Sequence, residues 1–332
     1  SRATVFEPRG WAIRTLAGPS APHRLEYALF RGVRGRLLRR DHAEVRHIGH
    51  RLGAVAHALL PGRRKLARSN MARALPERAD AHRALVRSCF RHIGASFCEA
   101  FSASRFRTHD DYAARIDYDG WAHLEAARAA HGNTMLMSAH LGVWEVAPFG
   151  IGARIGPIHV VGRAPNNPLM AADLLGLREH LGHRMIEKHG AGRRIYTALR
   201  KGDTVGMLID QRVRPSLGIL APFFGHPAWT SAGLAHMSIA TGLPVVPIYC
   251  VPHETPGRYR LITRAAIEPP VVGRKAATDA HIAALTARYL EEVAAQIRQD
   301  PALWMWLHSR WKGAPETVDT GDSAAPTTAD GA

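Results

Sequence analysis

The feature that most constrains the fold is a change in hydrophobic pattern near Asp119. Between residues 81 and 103 the apolar positions recur every three or four residues, as in a helix. After Asp119, short runs rich in β-branched and apolar residues alternate with segments of helical periodicity. Five runs are predicted strands: residues 135–139, 158–161, 205–209, 245–251 and 259–263. This order predicts a single α/β domain with a central mixed β-sheet flanked by helices, preceded by a basic helical region.

The chain divides into three predicted segments. Residues 1–62 form the basic helical amino-terminal region, and residues 63–312 form the main domain. The last strong helix of this domain follows Thr278 and ends before Pro301, which cannot continue a helix. Residues 313–332 contain one large apolar residue, Val318, and are predicted to be a disordered tail.

The basic charge is concentrated at the amino-terminal end. The net charge is +16, and residues 1–91 contain 20 Lys and Arg against 6 Asp and Glu. Such a surface would attract an anionic partner, which could be nucleic acid, an acidic membrane or an acidic protein. A basic face that is merely solvated has the same composition. Residues 25–40 predict a basic amphipathic helix, which either lies on a membrane or packs on its own domain. Its apolar and basic positions are Leu25, Leu29, Val33 and Leu37, and Arg31, Arg34, Arg36, Arg39 and Arg40.

Membrane contact is predicted to be peripheral. The longest stretch without Asp, Glu, Lys or Arg is residues 215–253, but six prolines divide it into pieces too short to span a bilayer. Residues 1–24 lack the apolar core of a signal peptide. The three cysteines, Cys89, Cys98 and Cys250, show no metal-ligand spacing and are read as reduced core residues. We therefore expect a location on the cytosolic side, with any membrane contact peripheral.

The candidate catalytic residues follow the predicted strand at 135–139. His140 and Glu145 are five residues apart, about 140° around a helix, so they cannot share one helical face. If His140 lies in a turn and Glu145 in the first helical turn, the carboxylate can reach the imidazole. A histidine oriented by a carboxylate can accept a proton from a hydroxyl, while nearby amides stabilise an oxyanion.

Four blocks in order carry a family resemblance. SAHLGVWE (138–145) resembles the H-x-x-x-x-D/E block of the glycerolipid and lysophospholipid acyltransferase superfamily, and most resembles the bacterial lipid A biosynthesis acyltransferases. The other blocks are VVGRAPNNPLM (160–170), the pair GDTVGMLIDQ and APFFGHPAWTSAG within 202–233, and WMWLHSRWK (304–312). Residues 63–77 share the family's character, so the resemblance covers about 63–312, which it identifies as an acyltransferase domain. Val143 departs from the asparagine common in the family.

The resemblance implies that His140 deprotonates an acceptor hydroxyl while Glu145 orients the imidazole. The alkoxide then attacks a thioester directly, with no acyl-enzyme, no metal and no cofactor other than acyl carrier protein or CoA as acyl donor. It further implies a set of substrate-binding residues: Arg163 and Asn166, Arg193, Asp210 and Gln211, and Phe223, Phe224 and Gly225. Asp210 is expected to support either the His140 ring or the acceptor, and the two phenylalanines are expected to shape the floor.

Several readings remain open from the sequence alone. The acceptor is a lipid A precursor or similar glycolipid, a phosphatidylinositol mannoside, a lysophospholipid or another membrane lipid. A non-enzymatic membrane- or nucleic-acid-binding protein would explain the charge but not the ordered blocks, and no nucleic-acid motif is present. A zinc hydrolase is disfavoured because H-E-x-x-H is absent. We therefore expect an anionic membrane, a lipid acceptor and an acyl carrier protein as partners, and no nucleic acid.

Overall fold

The computed structural model describes residues 19–272 and 276–316. The first 18 residues of the predicted basic region and the predicted tail beyond Glu316 lie outside this part. The described residues form eleven α-helices. They are α1 (Ala21–Leu37), α2 (His42–Leu59), α3 (Pro61–Ala74), α4 (His82–Ala103), α5 (His109–Ala113), α6 (Ala122–His131), α7 (Ala147–Ile155), α8 (Pro168–Arg178), α9 (Ala191–Arg200), α10 (Gly233–Thr241) and α11 (Asp279–Gln299).

The strands form a mixed sheet and a separate hairpin. They are β1 (Ile116–Asp119), β2 (Met135–Ser138), β3 (His159–Gly162), β4 (Arg184–Glu187), β5 (Val205–Leu208), β6 (Ile219–Phe223), β7 (His226–Thr230), β8 (Val245–Pro252) and β9 (Tyr259–Thr263). Within the described residues, the sheet has seven strands in the order β1-β9-β8-β2-β5-β3-β4, and β6 pairs with β7. The predicted α/β fold with a central mixed sheet is confirmed.

Parallel pairing brings the carboxyl ends of five strands to one edge of the sheet. β2 pairs in parallel with β5 and β8, and β3 pairs in parallel with β4 and β5. β9 runs antiparallel to β8. Side chains alternate across β2: Met135 and Met137 join a core with α3, α4 and α9–α11, whereas Leu136 joins a second core with α6 and α7. The sheet is therefore covered on both faces, and the residues that follow β2 and β5 meet at one edge.

Close packing between α2 and α4 joins the amino-terminal helices to the rest of the protein. A Cβ added at Gly53 would lie 2.1 Å from the main-chain oxygen of Phe90, and one at Gly94 would lie 2.2 Å from that of Gly49. Only glycine permits such an approach of two helix backbones. The position of α2 is therefore fixed by backbone contact with α4.

The predicted amphipathic helix forms as α1, but most of its apolar positions face outwards. Leu25 is 75% exposed, Leu29 69% and Val33 38%, whereas Leu37 is buried. On its inner side Phe30 packs edge-to-face on Phe101 of α4, with ring centroids 5.1 Å apart. No helix of the described residues is long and apolar enough to cross a membrane.

Candidate active site

The loop that carries His140 is fixed by its main chain. Gly142 has φ +64°, and a Cβ there would lie 2.1 Å from the Cys250 carbonyl oxygen of β8. The buried side chains of His92 and Ser96 on α4 both bond the Gly142 carbonyl oxygen, at 3.2 Å and 2.9 Å. Glycine is required here by both the positive φ and the close approach. His140 is thereby held at the carboxyl end of β2.

Asp210, at the carboxyl end of β5, is the carboxylate that contacts His140. Its Oδ1 is 2.8 Å from His140 Nδ1, and its Oδ2 accepts the main-chain N–H of His140 at 3.1 Å. Oδ2 also accepts from the indole N–H of Trp304 at 2.8 Å. Burial alone would raise the pKa of Asp210, but His140 and these hydrogen bonds lower it to about 2. Asp210 is thus a buried carboxylate anion aimed at the imidazole.

The side-chain amide of Gln211 contacts the other ring nitrogen of His140. Its amide nitrogen Nε2 is 3.2 Å from His140 Nε2. Because Asp210 is ionised and can only accept, the ring proton lies on Nδ1, and Nε2 has a lone pair that the Gln211 amide approaches. The side chain of His140 is 19% exposed, so an incoming hydroxyl can reach Nε2 once the amide moves aside. This is the geometry of an oriented general base.

The expected pairing of Glu145 with His140 is wrong. Glu145 lies in the turn that precedes α7 rather than in its first helical turn, and its carboxylate faces α8. It forms a two-point ion pair with Arg178, from Nε to Oε2 at 3.0 Å and from Nη2 to Oε1 at 2.5 Å. Although burial would lower the pKa of Arg178, the Glu145 carboxylate raises it. β5 pairs in parallel with β2, so Asp210 lies directly beside His140. Asp210, rather than Glu145, therefore hydrogen-bonds the imidazole.

An apolar slot opens beside the Glu145–Arg178 pair. It has a volume of about 80 Å³ and lies between α4, α7 and α8, with Phe97, Phe101, Phe149 and Leu177 among its lining residues. Phe97 packs edge-to-face on Trp144, with centroids 5.8 Å apart, and Trp144 packs on His140 at 5.4 Å. A chain of ring contacts therefore connects the slot to His140.

The Phe223–Gly225 segment lies beneath the site rather than on its open side. Phe223 and Phe224 are 1% and 7% exposed, and Phe223 packs on Trp304 with centroids 5.6 Å apart. Phe224 and Gly225 form the tight β6–β7 turn with φ 53° and 75°. The aromatic pair thus supports the indole that binds Asp210.

Three other predicted residues lie at the same edge of the sheet but not on His140. Arg163 follows β3, is exposed, and donates from Nη2 to Asn166 Oδ1 at 2.9 Å. Arg193 is exposed near the start of α9. β5 separates β3 from β2, and β4 lies one strand further, so β3 and β4 lie about 10 and 14 Å from β2. Among the described residues, the His140 ring is hydrogen-bonded to Asp210 and Gln211 and not to these residues.

Two contributors to the site were not predicted individually. Trp304 completes the hydrogen bonds of Asp210, and Met305 N–H donates to the His140 carbonyl oxygen at 3.0 Å. Both lie in the WMWLHSRWK segment, whose aromatic composition was the available signal. Arg178 had no signal of its own, because a lone arginine outside the family-like blocks is unremarkable in sequence.

Comparison with known proteins gives consistent matches. The family model described as bacterial lipid A biosynthesis acyltransferase matches residues 39–313. The chain is similar to a lipid A biosynthesis palmitoleoyltransferase of Escherichia coli, 26% identical over 275 residues, which are 81% of this chain and 85% of the relative. It is also similar to a lipid A biosynthesis lauroyltransferase of Escherichia coli, 25% identical over 277 residues, which are 82% and 86% of the two chains.

A shorter match is to an enzyme that is named for a different acceptor lipid. A phosphatidylinositol mannoside acyltransferase of Mycobacterium tuberculosis is 25% identical over 195 residues, which are 58% of each chain. All three relatives transfer acyl groups, and the family model spans most of this chain. The protein is therefore an O-acyltransferase that belongs to the bacterial lipid A biosynthesis acyltransferase family.

Proposed function

We propose that the protein transfers a fatty acyl group from a thioester donor, acyl carrier protein or CoA, to a hydroxyl of a lipid A precursor or similar glycolipid. The observation that carries this proposal is the Asp210–His140 pair, with Asp210 Oδ1 2.8 Å from Nδ1. That contact holds the proton on Nδ1 and presents Nε2 as a base. No cofactor beyond the acyl donor enters the proposed reaction.

The reaction has two steps. The acceptor hydroxyl displaces the Gln211 amide from His140 Nε2 and transfers its proton to that nitrogen while its oxygen attacks the thioester carbonyl carbon. The tetrahedral intermediate then breaks its C–S bond, and the leaving thiolate takes the proton back from Nε2. Asp210 stabilises the imidazolium between the two steps. Proton and electron pairs balance without an acyl-enzyme.

Glu145 has a supporting role in this proposal. Its ion pair with Arg178 is part of the wall of the apolar slot, and the slot connects to His140 through Phe97 and Trp144. The slot is a natural entry for the hydrocarbon of the acyl group. Arg163 and Arg193, together with Asn166, would bind phosphate groups of substrates at the same edge of the sheet, because a guanidinium matches phosphate geometry.

We propose that α1 holds the protein on the cytoplasmic face of the inner membrane as a peripheral protein. Leu25 and Leu29 are exposed on this helix, as are Arg24, Arg31 and Arg36, whereas Arg34 contacts Ser104 and Asp173. Exposed apolar residues interleaved with cations are typical of helices that lie in an anionic lipid interface. An acidic acyl carrier protein would be attracted to the same basic end of the molecule.

A phosphatidylinositol mannoside is the second candidate acceptor. The similarity to the mycobacterial enzyme favours it, since that relative is named for this lipid. Lysophospholipids also carry an acceptor hydroxyl and are the third candidate class. The transfer mechanism is the same for all three, so the acceptor is an independent question.

The experiment is a transfer assay with a panel of acceptors. The purified protein is incubated with acyl carrier protein or CoA thioesters and with each acceptor class, and the lipids are analysed by mass spectrometry. We expect transfer by the wild type and a loss of about 10²–10⁴-fold in His140→Ala, the contribution of a general base. His47→Ala, which alters an exposed histidine of α2, is the control. Near-normal transfer by His140→Ala would exclude the mechanism.

Membrane binding is tested by vesicle sedimentation. Each arginine near an anionic surface contributes about 1 kcal/mol, so binding should weaken with salt and be weak on neutral vesicles. Leu25→Ser with Leu29→Ser should weaken binding to anionic vesicles without altering the fold, because both side chains are exposed. Equal binding to neutral and anionic vesicles would show that the basic end has another partner.

A further inference from the structure

A second histidine, His308, is held close to the catalytic pair. Its carbonyl oxygen accepts from Asn70 Nδ2 at 2.8 Å and from Arg310 N–H at 2.8 Å. Its side chain is only partly exposed. These hydrogen bonds to its carbonyl oxygen fix the main chain of His308.

The tautomer of His308 is determined by one hydrogen bond. The main-chain N–H of Arg212 points to His308 Nε2 at 2.9 Å. Because a main-chain amide can only donate, Nε2 is the acceptor and the ring proton lies on Nδ1. Within residues 19–272 and 276–316, no hydrogen bond engages Nδ1. His308 therefore offers one neutral N–H donor without a protein partner.

Three consecutive residues after β5 hold both imidazoles. Asp210 and Gln211 contact the two ring nitrogens of His140, and Arg212 contacts His308. The 304–312 segment adds a second connection, because Met305 N–H binds the His140 carbonyl oxygen. The two histidines are thus held by the same short loop and by the same segment, residues 304–312.

Burial, more than the local charges, keeps the ring of His308 neutral. Burial lowers the pKa of His308 to about 4, and the neighbouring cations Arg310 and Arg212 and the ring of His140 act in the same direction, while Asp210 opposes them. A neutral imidazole near pH 7 can donate a hydrogen bond without giving up its proton. Its donor therefore persists throughout a reaction at that pH.

We propose, resting on the function proposed above, that His308 donates its Nδ1–H to the thioester carbonyl oxygen as that oxygen becomes an oxyanion. When the acceptor oxygen attacks the carbonyl carbon, the C=O electron pair moves to the carbonyl oxygen, and the His308 N–H stabilises it. When the C–S bond breaks, that pair re-forms the carbonyl, and the thiolate takes the proton from His140. His308 gains and loses no proton, and its donor is in place before charge develops.

Two substitutions separate the donor from the structural hydrogen bond. Glutamine places an amide oxygen near the Nε2 position, so His308→Gln can still accept from Arg212 but loses the donor at the Nδ1 position. Asparagine places an amide N–H near the Nδ1 position, so His308→Asn keeps the donor and loses the contact with Arg212. A purely structural histidine predicts the opposite order of activities from a catalytic donor.

Kinetics with acyl-CoA and the best lipid acceptor provide the test. We expect kcat of His308→Gln to fall about 10²–10³-fold with little change in KM, the effect of removing one oxyanion donor. His308→Asn should retain most of the wild-type kcat, and thermal melting should show both variants folded. A near-normal kcat for His308→Gln, or an equal fall in both variants, would overturn the proposal.

A second measurement does not depend on the variants. In wild-type protein with 15N-labelled histidine, a ketone analogue of the thioester should shift the Nδ1–H resonance of His308, and an unchanged resonance would also overturn the proposal. Failure of the proposed function can be distinguished from failure of the role proposed for His308. In that case wild-type protein transfers no acyl group, or His140→Ala remains active, whereas failure of this inference alone leaves the wild type active, His140→Ala inactive and His308→Gln active.

Discussion

Replacing Asp210 with asparagine changes one atom and tests the central hydrogen-bond pattern of the site. Three N–H groups point at this carboxylate: the main chain and Nδ1 of His140, and the indole of Trp304. An amide has one oxygen, and it is best used at the Oδ2 position, where two donors converge. Its NH₂ group then faces His140 Nδ1, which must become an acceptor, so the ring proton moves to Nε2 and the base is lost.

The expected loss follows from this inverted tautomer. General-base catalysis contributes about 10²–10⁴-fold, and the equivalent substitution in the Ser-His-Asp triad lowers kcat about 10⁴-fold. We therefore expect kcat of Asp210→Asn to fall by 10²–10⁴-fold with little change in KM. Hydrogen bonds to a charged group contribute about 1.5–3 kcal/mol, so a lower melting temperature is expected as well.

The assay compares two carboxylates of the same region. Initial rates and thermal melting are measured for Asp210→Asn and for Glu145→Gln, which removes the charge that binds Arg178 but leaves the His140 ring contacts intact. We expect the larger loss of kcat in Asp210→Asn. If Asp210→Asn stays within about tenfold of the wild type, or if Glu145→Gln loses more, the assignment of Asp210 as the orienting carboxylate is refuted.

Three further outcomes follow from the structure. Burial lowers the pKa of His92 and His183 to about 4. An unfolded histidine titrates near pH 6.5, so the unfolded chain binds more protons between these values, and denaturant titrations should show stability falling by roughly 3 kcal/mol per histidine as pH drops from about 6.5 to 4. Intact-mass analysis with acyl donor alone should show no stoichiometric adduct, because burial raises the pKa of the Cys98 thiol to about 11 and the Ser138 hydroxyl oxygen is buried at the end of β2. Gly53→Ala should lower the free energy of unfolding by about 1–3 kcal/mol, since its Cβ would meet the backbone of α4.

The fold was predictable where strands are buried and not where they form the edges of the sheet. The apolar runs of β2, β5 and β8 lie in the interior of the sheet and were recognised from composition. β1 and β4 are the two edge strands, and their sequences, IDYD and RMIE, mix charged and apolar residues because one side of each strand is unpaired. Periodicity cannot distinguish such segments from loops.

The site was predictable as a set of residues but not as a set of contacts. His140 and Asp210 each follow an apolar strand, which placed them at strand ends, but strand order decides that β5 is next to β2. That order brings Asp210, rather than Glu145, to the imidazole. The partner of Glu145 comes from the end of α8, and no local pattern specifies which way a turn residue faces.

The indole of Trp304 has a consequence for biosynthesis. It donates to a carboxylate 94 residues earlier in the chain, and His308 lies in the same segment. While the polypeptide is being synthesised, β2 and β5 can pair before this segment exists, but Asp210 then lacks its indole donor. The protein is therefore expected to gain activity only after residues 304–308 have been synthesised, and chains truncated before Trp304 that have folded most of the sheet should be catalytically silent.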